Sequence, residues 1–330
     1  MRIVDQAAAF KAVKGPLVLA AGFFDGVHRG HTRVFEGAAK RAAELGGAAW
    51  ALTFDRHPAA VLAPERVPPQ ITPREICFEL IGACGIDGIY LQIFTKELAA
   101  RSPEEFVRLL CESGNVAEIH CGANWRFGVG ASGTPEDFAR LGAVYGVKVV
   151  VEPDVDYKGE PVSSTRIRKA VLDGRVDDVR EMLGRSYFVR ETVIHGRQAA
   201  RQYGIPTANF APESALMPPV GVYAVRTVVD GVSYPGVGSV GFRPTFANAR
   251  PDKPVLEVHL IGFDGDLYGR RLDIAFLGKI RDERKFANGD LLFAQIRRDI
   301  ETAGSITRQP ENGKNGSSRV PRLMEPGCST

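Results

Sequence analysis

The chain predicts an α/β fold in its first half and an antiparallel all-β fold in its second, and three observations carry this reading. Residues 17–183 alternate short apolar runs with amphipathic helical stretches, the pattern of a mainly parallel sheet covered on both faces. From about residue 186 the texture shifts to apolar/polar alternation with Asp-Gly turns at Asp230-Gly231 and Asp264-Gly265, which is antiparallel hairpin patterning. Between the first apolar run, Leu17 to Ala21, and the first helical stretch stands Gly22-Phe23-Phe24-Asp25-Gly26-Val27-His28-Arg29-Gly30-His31. The 330 residues, 44% of them hydrophobic, suffice for one core in each half.

In chain order, the Val-, Ile-, Leu- and Ala-rich runs 17–22, 48–54, 88–93, 117–121 and 147–152 are the strands of the first half. Helices are predicted over 31–45, 73–83, 103–112 and 136–145, with Pro73 and Pro103 suited to first helical positions. A further pair over 164–173 and 176–183 closes this half. Tyr223–Val229, Val255–Phe263 and Leu272–Leu277 then read as strands of a small barrel or sandwich. The tail from about residue 307, with Gln309-Pro310-Glu311-Asn312-Gly313 and Gly316-Ser317-Ser318, has a disordered composition. No internal repeat is visible.

Composition excludes several function classes. A net charge of +3, spread over 42 basic and 39 acidic residues, gives no nucleic-acid footprint. No stretch approaches the roughly 18 uncharged apolar residues that a membrane span needs. Met1-Arg2-Ile3-Val4-Asp5-Gln6 carries charges where a secretion signal needs an apolar core. Cys77, Cys84, Cys111, Cys121 and Cys328 show no Cys-x-x-Cys spacing and fall partly in apolar runs, so free thiols in a reducing cytoplasm are expected.

The Gly22–His31 stretch reads as a phosphate site, because a helix start after a parallel strand offers free backbone N–H groups and a positive dipole end. His28 and His31, three apart, can face one ligand on a first turn, while Gly26 and Gly30 permit a tight turn and close backbone approach. The alternative is a loop whose histidines cap a helix or coordinate a metal. A second segment, Pro161-Val162-Ser163-Ser164-Thr165-Arg166-Ile167-Arg168-Lys169, opens another helix with hydroxyls followed by cations. Ser and Thr suit N-caps, but arginines in a first turn oppose the helix dipole. A triphosphate explains them, with Arg166 and Arg168 clamping its oxygens; an ordinary capped surface helix is the competing account.

With both segments in view, the chain resembles the bacterial bifunctional riboflavin kinase/FAD synthetase family from about residue 14 to 300. The resemblance is carried first by Gly22–His31, Thr53-Phe54-Asp55-Arg56-His57-Pro58, Asn124-Trp125-Arg126-Phe127-Gly128, Ser163–Arg168 and Leu183-Gly184-Arg185. A second motif set follows in Gly204-Ile205-Pro206-Thr207-Ala208-Asn209, Gly221-Val222-Tyr223, Arg243-Pro244-Thr245-Phe246 and Leu256-Glu257-Val258-His259-Leu260. It implies a Rossmann-like nucleotidyltransferase domain over 1–184, then an antiparallel β-barrel riboflavin kinase domain over 185–306 with a C-terminal helix near 289–302, then the tail over 307–330.

For the first domain the resemblance implies adenylyl transfer from ATP to FMN, giving FAD and pyrophosphate. His28, His31 and Arg168 are then catalytic, and Gly22, Phe24, Asp25, Gly26, Gly30, Ser163, Ser164, Thr165 and Arg166 bind ATP. The flavin falls to His57, Pro58, Asn124, Arg126 and Phe127, although plain core packing accounts equally well for Trp125 and Phe127. For the second domain it implies phosphorylation of riboflavin by ATP with Mg²⁺. Thr207 and Asn209 hold the metal, Arg201 the phosphates, and Glu257 is the general base. Glu257 lies on a strand whose Leu256, Val258 and Leu260 share the other face; taken alone, it is also what a solvated strand carboxylate looks like.

Departures from the family pattern are Phe23, Arg56 and Cys77 in the first domain, where asparagine, proline and lysine are usual. In the second they are Ala199 and Ala200 for arginine and glycine, Ser239 for asparagine and Gly262 for aspartate. The partners expected are ATP, riboflavin and FMN, with no nucleic acid and no membrane, for a cytoplasmic monomer or weak homo-oligomer. Two other functions fit the same residues: adenylyl transfer alone, and flavin or nucleotide sensing without turnover.

Overall fold

The computed structural model describes residues 1–196, 204–212, 216–242 and 254–308. By contact the chain divides into two compact units. The first comprises Met1–Pro69 with Pro73–Ser164; the second comprises Gln70–Thr72 with the described residues from Thr165 onward.

The first unit opens with β1 (Arg2–Val4), α1 (Ala7–Lys11), β2 (Leu17–Ala21) and α2 (Arg29–Glu44). It continues through β3 (Ala48–Phe54), α3 (Ala59–Leu62), α4 (Arg74–Ala83), β4 (Gly88–Gln92), α5 (Lys96–Ala99) and α6 (Pro103–Glu112). Last come β5 (Val116–Gly122), α7 (Pro135–Gly142), β6 (Lys148–Glu152) and the small ladder of β7 (Asp156–Tyr157) with β8 (Glu160–Pro161). The main sheet runs β1-β4-β3-β2-β5-β6, and every neighbouring pair is parallel. Strand order therefore reverses between β2 and β5, and the crevice beyond their carboxyl ends is where such a sheet takes its ligand. The expected strands and longer helices form within one to three residues of their predicted ends. β1 and α1 were not anticipated: three residues carry no periodicity of their own, and β1 is held only by its ladder to β4.

The core between sheet and helices is dominated by fully buried Phe10, Leu17, Leu19, Val107, Leu110, Ile119 and Phe138. Phe10 of α1 stacks on Tyr90 of β4 with ring centroids 4.2 Å apart, so the unanticipated helix is a structural part of this core. Helix starts follow their caps. Ser102 and Thr134 each form a capping box, with Glu105 and Asp137 three residues on and Pro103 and Pro135 at the first position.

The second unit begins with α8 (Ser164–Leu172), whose first residue belongs to the first unit, and α9 (Val176–Leu183), which Gly184 ends at φ +74°. Then come β9 (Tyr187–Thr192), β10 (Ala208–Phe210), β11 (Gly221–Val229), β12 (Val232–Phe242), β13 (Pro254–Leu260), β14 (Arg271–Arg281) and α10 (Gly289–Arg308). These six strands form one antiparallel sheet, β10-β13-β12-β11-β14-β9, and a bridge between Ile194 and Asn209 joins its two ends into a barrel. Asp230 and Gly231 take φ of +50° and +76°, the two-residue hairpin turn expected from that dipeptide. Asp264-Gly265 differs, lying in the longer connection between β13 and β14 rather than at a tight hairpin.

Alternation along the strands separates two faces. Tyr187, Tyr223, Val225, Leu256, Val258, Ile274 and Phe276 fill the barrel. On the outside, Val222, Ala224, Val237, Ala275 and Leu277 pack with Ala303, Ile300 and Ile306 of α10. Asp299 of α10, 2% exposed, anchors the helix through Arg281 of β14, whose Nη2 lies 2.8 Å from its carboxylate. α10 extends to Arg308, beyond the expected 302 and past the expected start of the tail. Apolar Ile306 and the bond from Arg226 Nη2 to the Thr307 carbonyl, 2.8 Å, carry the last turn. Residues 309–330, including Cys328, lie outside the described residues.

Candidate functional site

At the switch point, β2 hands over to the loop 22–28 and β5 to the loop 123–134. Gly26, at φ +85°, and Val27, at φ +41°, turn the chain back sharply so that His28 becomes the N-cap of α2. A positive φ is a strained conformation for a β-branched residue, and strain of this kind concentrates at functional loops. His28 Nδ1 accepts the His31 backbone N–H at 3.3 Å. An accepting Nδ1 leaves the ring hydrogen on Nε2, so the cap fixes His28 as a neutral Nε2–H donor. The His31 ring stacks on it with centroids 3.5 Å apart.

Three features hold this arrangement. Phe24, 4% exposed, packs edge-on against His31 and tilts against Phe35. A Cβ on Gly30 would stand 3.1 Å from His28 Cε1, so glycine lets the imidazole lie over the helix start. Ser164 Oγ donates to the Asp25 carbonyl at 2.9 Å, tying the second motif to the first within this unit. Asp25, 5% exposed, is thus held through its backbone by Ser164, a contribution that its side chain does not advertise. The Cys77 thiol, where the family usually has lysine, bonds to the Phe24 carbonyl at 3.2 Å and supports the same loop.

Around the rim, His57 meets Phe23 edge-on at 5.1 Å, and its Nδ1 accepts from the Ala59 amide at 3.1 Å. Pro58 is the N-cap of α3. Arg56 is occupied with Asp55 at 2.6 Å. Burial of Asp55 raises its carboxyl pKa, but the Arg56 bond and the Phe94 amide outweigh that and hold it below the usual carboxylate range. Asn124 and Arg126 are exposed, with Arg126 donating to the Ala123 and Trp125 carbonyls. Phe127, expected on the flavin side, is 5% exposed, and its ring is packed by Phe106, Trp125 and Phe138. Core packing, the alternative left open by the sequence, is where the structure puts it.

Ser163 and half-buried Arg166 and Arg168 follow Val162, while Thr165 is exposed. On α8, Arg166 and Arg168 are two residues apart and so point to different sides. Arg168 shares its face with Ser164 and Thr165, four and three residues earlier.

The barrel's outer face assembles the second set. Register pairs Asn209 of β10 with Glu257 of β13, and Glu257 in turn with Ser239 of β12, placing the three side chains in one row. Leu256 and Val258 are buried and Glu257 is exposed, as the alternation predicts. Asn209 is 4% exposed; its Nδ2 bonds to the Thr207 carbonyl at 3.4 Å, and its Oδ1 has no partner among the described residues. A buried acceptor left open next to Thr207 fits a hard cation. A Cβ on Gly196 would meet the Asn209 amide at 2.3 Å, so the His195-Gly196 turn lies directly over it. Arg201, Ala199 and Ala200 lie outside the described residues. Among the described residues no three His, Cys, Asp or Glu side chains converge as a metal cluster.

Residues 10–166 match the family described as FAD synthetase, and residues 183–307 match riboflavin kinase. The bifunctional riboflavin kinase/FMN adenylyltransferase of Bacillus subtilis (strain 168) is 36% identical over 87% of this chain and 91% of its own length. The protein of the same description from Pseudomonas fluorescens is 35% identical over 88% and 92%.

The chain belongs to the bifunctional riboflavin kinase/FMN adenylyltransferase family.

A crystal structure of a macrolide-efflux protein from Streptococcus pneumoniae superposes with a TM-score of 0.83 at 29% identity, covering 92% of this chain and 98% of that one. Efflux is said of that protein alone; among the described residues here no helix is long and apolar enough to cross a membrane. As a member of this riboflavin kinase/FMN adenylyltransferase family, the chain carries its two motif sets in the two halves that the matches delimit. Motif reading missed the parts that hold the loop by its backbone: the strained turn at Val27, and the Asp25 and Phe24 carbonyls that receive Ser164 Oγ and the Cys77 thiol. Only the Gly-x-x-x-Gly frame around Val27 signalled the turn.

Proposed function

We propose that the chain phosphorylates riboflavin to FMN in the barrel and adenylylates FMN to FAD in the α/β unit. The observation that supports this is that the two family matches fall on the two halves, one with a capped, stacked histidine pair at a switch-point helix start and the other with Asn209 paired to Glu257 on the barrel's outer face.

In adenylyl transfer an FMN phosphate oxygen attacks the α-phosphorus of ATP, the bond to the β-phosphate bridging oxygen breaks, and pyrophosphate leaves with that electron pair. The nucleophile is already an anion, so the protein's task is to bring polyanions together and to oppose charge that grows on phosphate oxygens. The Nε2–H of His28, His31, and the N–H groups at the start of α2 supply donors, and Ser163, Ser164, Thr165, Arg166 and Arg168 are assigned to the ATP phosphates. His57, Pro58, Asn124 and Arg126 are assigned to the flavin side, with Phe127 supporting that loop from beneath.

In the kinase half Glu257 takes the proton of the riboflavin ribityl hydroxyl as that oxygen attacks the γ-phosphorus. Thr207 and Asn209 would hold Mg²⁺ brought with ATP, which neutralises charge on the phosphate oxygens. Arg201 is assigned to those phosphates. We place the protein in the cytoplasm as a monomer or weak homo-oligomer with small-molecule partners only.

A chromatographic time course of the purified protein with ATP and Mg²⁺, started from riboflavin and separately from FMN, tests this. FAD from both starts, with transient FMN in the first, is the expected result. FAD from FMN alone would leave only the adenylyltransferase, and no product from either start would sink both assignments.

A further inference from the structure

The side of α2 turned toward β5 and β6 carries a charge network apart from the histidine loop. His120 of β5 is 4% exposed. Its Nδ1 lies 2.7 Å from Glu152 Oε1 of β6, and its Nε2 lies 3.1 Å from Glu118 Oε1. Glu118 also receives Arg41 Nε at 2.9 Å, and Arg33 Nε stands 3.7 Å from Glu152. Arg33, Gly37 and Arg41 recur every four residues, so they form one stripe of α2.

Gly37 is the telling position. Glycine in a helix interior destabilises the helix relative to alanine, so its presence wants a reason. A Cβ there would lie 2.1 Å from Glu152 Oε1 and 2.8 Å from His120 Nδ1. The backbone of α2 thus rests directly on the Glu152–His120 hydrogen bond.

A cleft of about 390 Å³ opens beside this contact. Around it stand Arg33, Lys40 and Arg41 with Glu36, Glu44 and Glu152, and His120 lies between the carboxylates of Glu118 and Glu152. What the network does is fix α2. The rest of that helix meets the sheet through Val34, Phe35, Ala38 and Ala42, and apolar contact is non-directional, whereas buried ionic hydrogen bonds set register.

We propose that the Glu118–His120–Glu152 network, seated against Gly37, sets the axial position and rotation of α2 and thereby aims His28 and His31 at the reacting phosphates. His120 and Glu152 are positioning residues for adenylyl transfer. The proposal rests on the reading of the histidine pair given above.

The test uses the full chain with Glu152→Ala, Glu152→Gln and Gly37→Ala, with His28→Ala beside them. Because a misaimed donor is felt in the transition state, Glu152→Ala and Gly37→Ala should lower kcat for FAD formation about tenfold, with KM for FMN within about twofold. Glu152→Gln, which keeps an oxygen to accept from His120 Nδ1, should restore most of that loss. FMN formation from riboflavin, in the other half of the same molecule, should stay within about twofold, and the denaturant midpoint of the α/β unit should match that of the unaltered chain, which gauges its folding. Unchanged kcat in Glu152→Ala overturns the proposal, as does a fall in kcat that tracks a lowered midpoint of the α/β unit and is not restored by Glu152→Gln, which would make the network a matter of folding alone. His28→Ala separates the two readings: if it leaves FAD formation intact, the histidine assignment fails, whatever the Glu152 variants do.

Discussion

His28 combines two tasks in one side chain. Its Nδ1 satisfies an otherwise open N–H at the start of α2, and the same bond leaves Nε2 as the ring's donor. His28→Ala should therefore lower kcat for FAD formation by about 10²–10³-fold, the size of a lost oxyanion donor, while FMN formation continues. Steady-state assays started from FMN and from riboflavin check this. In the barrel, Glu257→Gln keeps the size and loses the base, so FMN formation should fall by about 10²–10⁴-fold with FAD formation from FMN intact. Thiols give a third check at this scale. Burial pushes the Cys121 thiol up to about 12 and the Cys111 thiol up to about 11. With folded values raised above the unfolded ones, the native fold keeps both as thiols across neutral and mildly alkaline pH. At pH 8 a thiol-specific reagent should leave them unmodified until denaturant is added.

Helix α10 shows how an element is held on a barrel by few groups. Its apolar face is modest, and the buried carboxylate of Asp299 meets Arg281 in a bidentate contact while also accepting from Gln295 at 2.7 Å. Removing one partner leaves the other charge buried without compensation. Asp299→Ala should lower the stability of the second unit by about 3–5 kcal/mol, read as a shift in its denaturant midpoint with kinase activity lost at lower denaturant than adenylyl transfer. An unchanged midpoint would mean that the apolar contacts around Ala303 hold the helix alone. Elements were legible in the sequence in proportion to their length. The parallel strands and six longer helices follow from periodicity and caps. β1, α3, α5, β9, β10 and β12 did not, because short or Gly-rich segments take their conformation from a partner ladder rather than from their own pattern. β12 is eleven residues with three glycines, and it is a strand because β11 and β13 flank it.

At the scale of the whole molecule, each unit has its own core and its own chemical set, and FMN is the product of one reaction and the substrate of the other. A mixture of His28→Ala and Glu257→Gln chains should then convert riboflavin to FAD, with a lag while free FMN accumulates. Neither variant alone should do so at a comparable rate. Absence of FAD from the mixture would show that FMN made in one chain does not reach another.

What the sequence by itself determined is the fold class of each half, its longer elements and the family to which its two motif sets belong. Strand and helix periods report which face is buried, and His28, His31, Thr207, Asn209 and Glu257 stand in motifs whose order is local. Only the tertiary structure decided which motif residues act through side chains and which pack or support. Phe127 became core once Phe106 of α6, Trp125 and Phe138 of α7 packed against its ring. Gly37 acquired its meaning only when β6 brought Glu152 against it, 115 residues further along the chain. The physical reason is that periodicity is a property of a segment, whereas burial, register and the distance between charges belong to segments that the sequence keeps far apart.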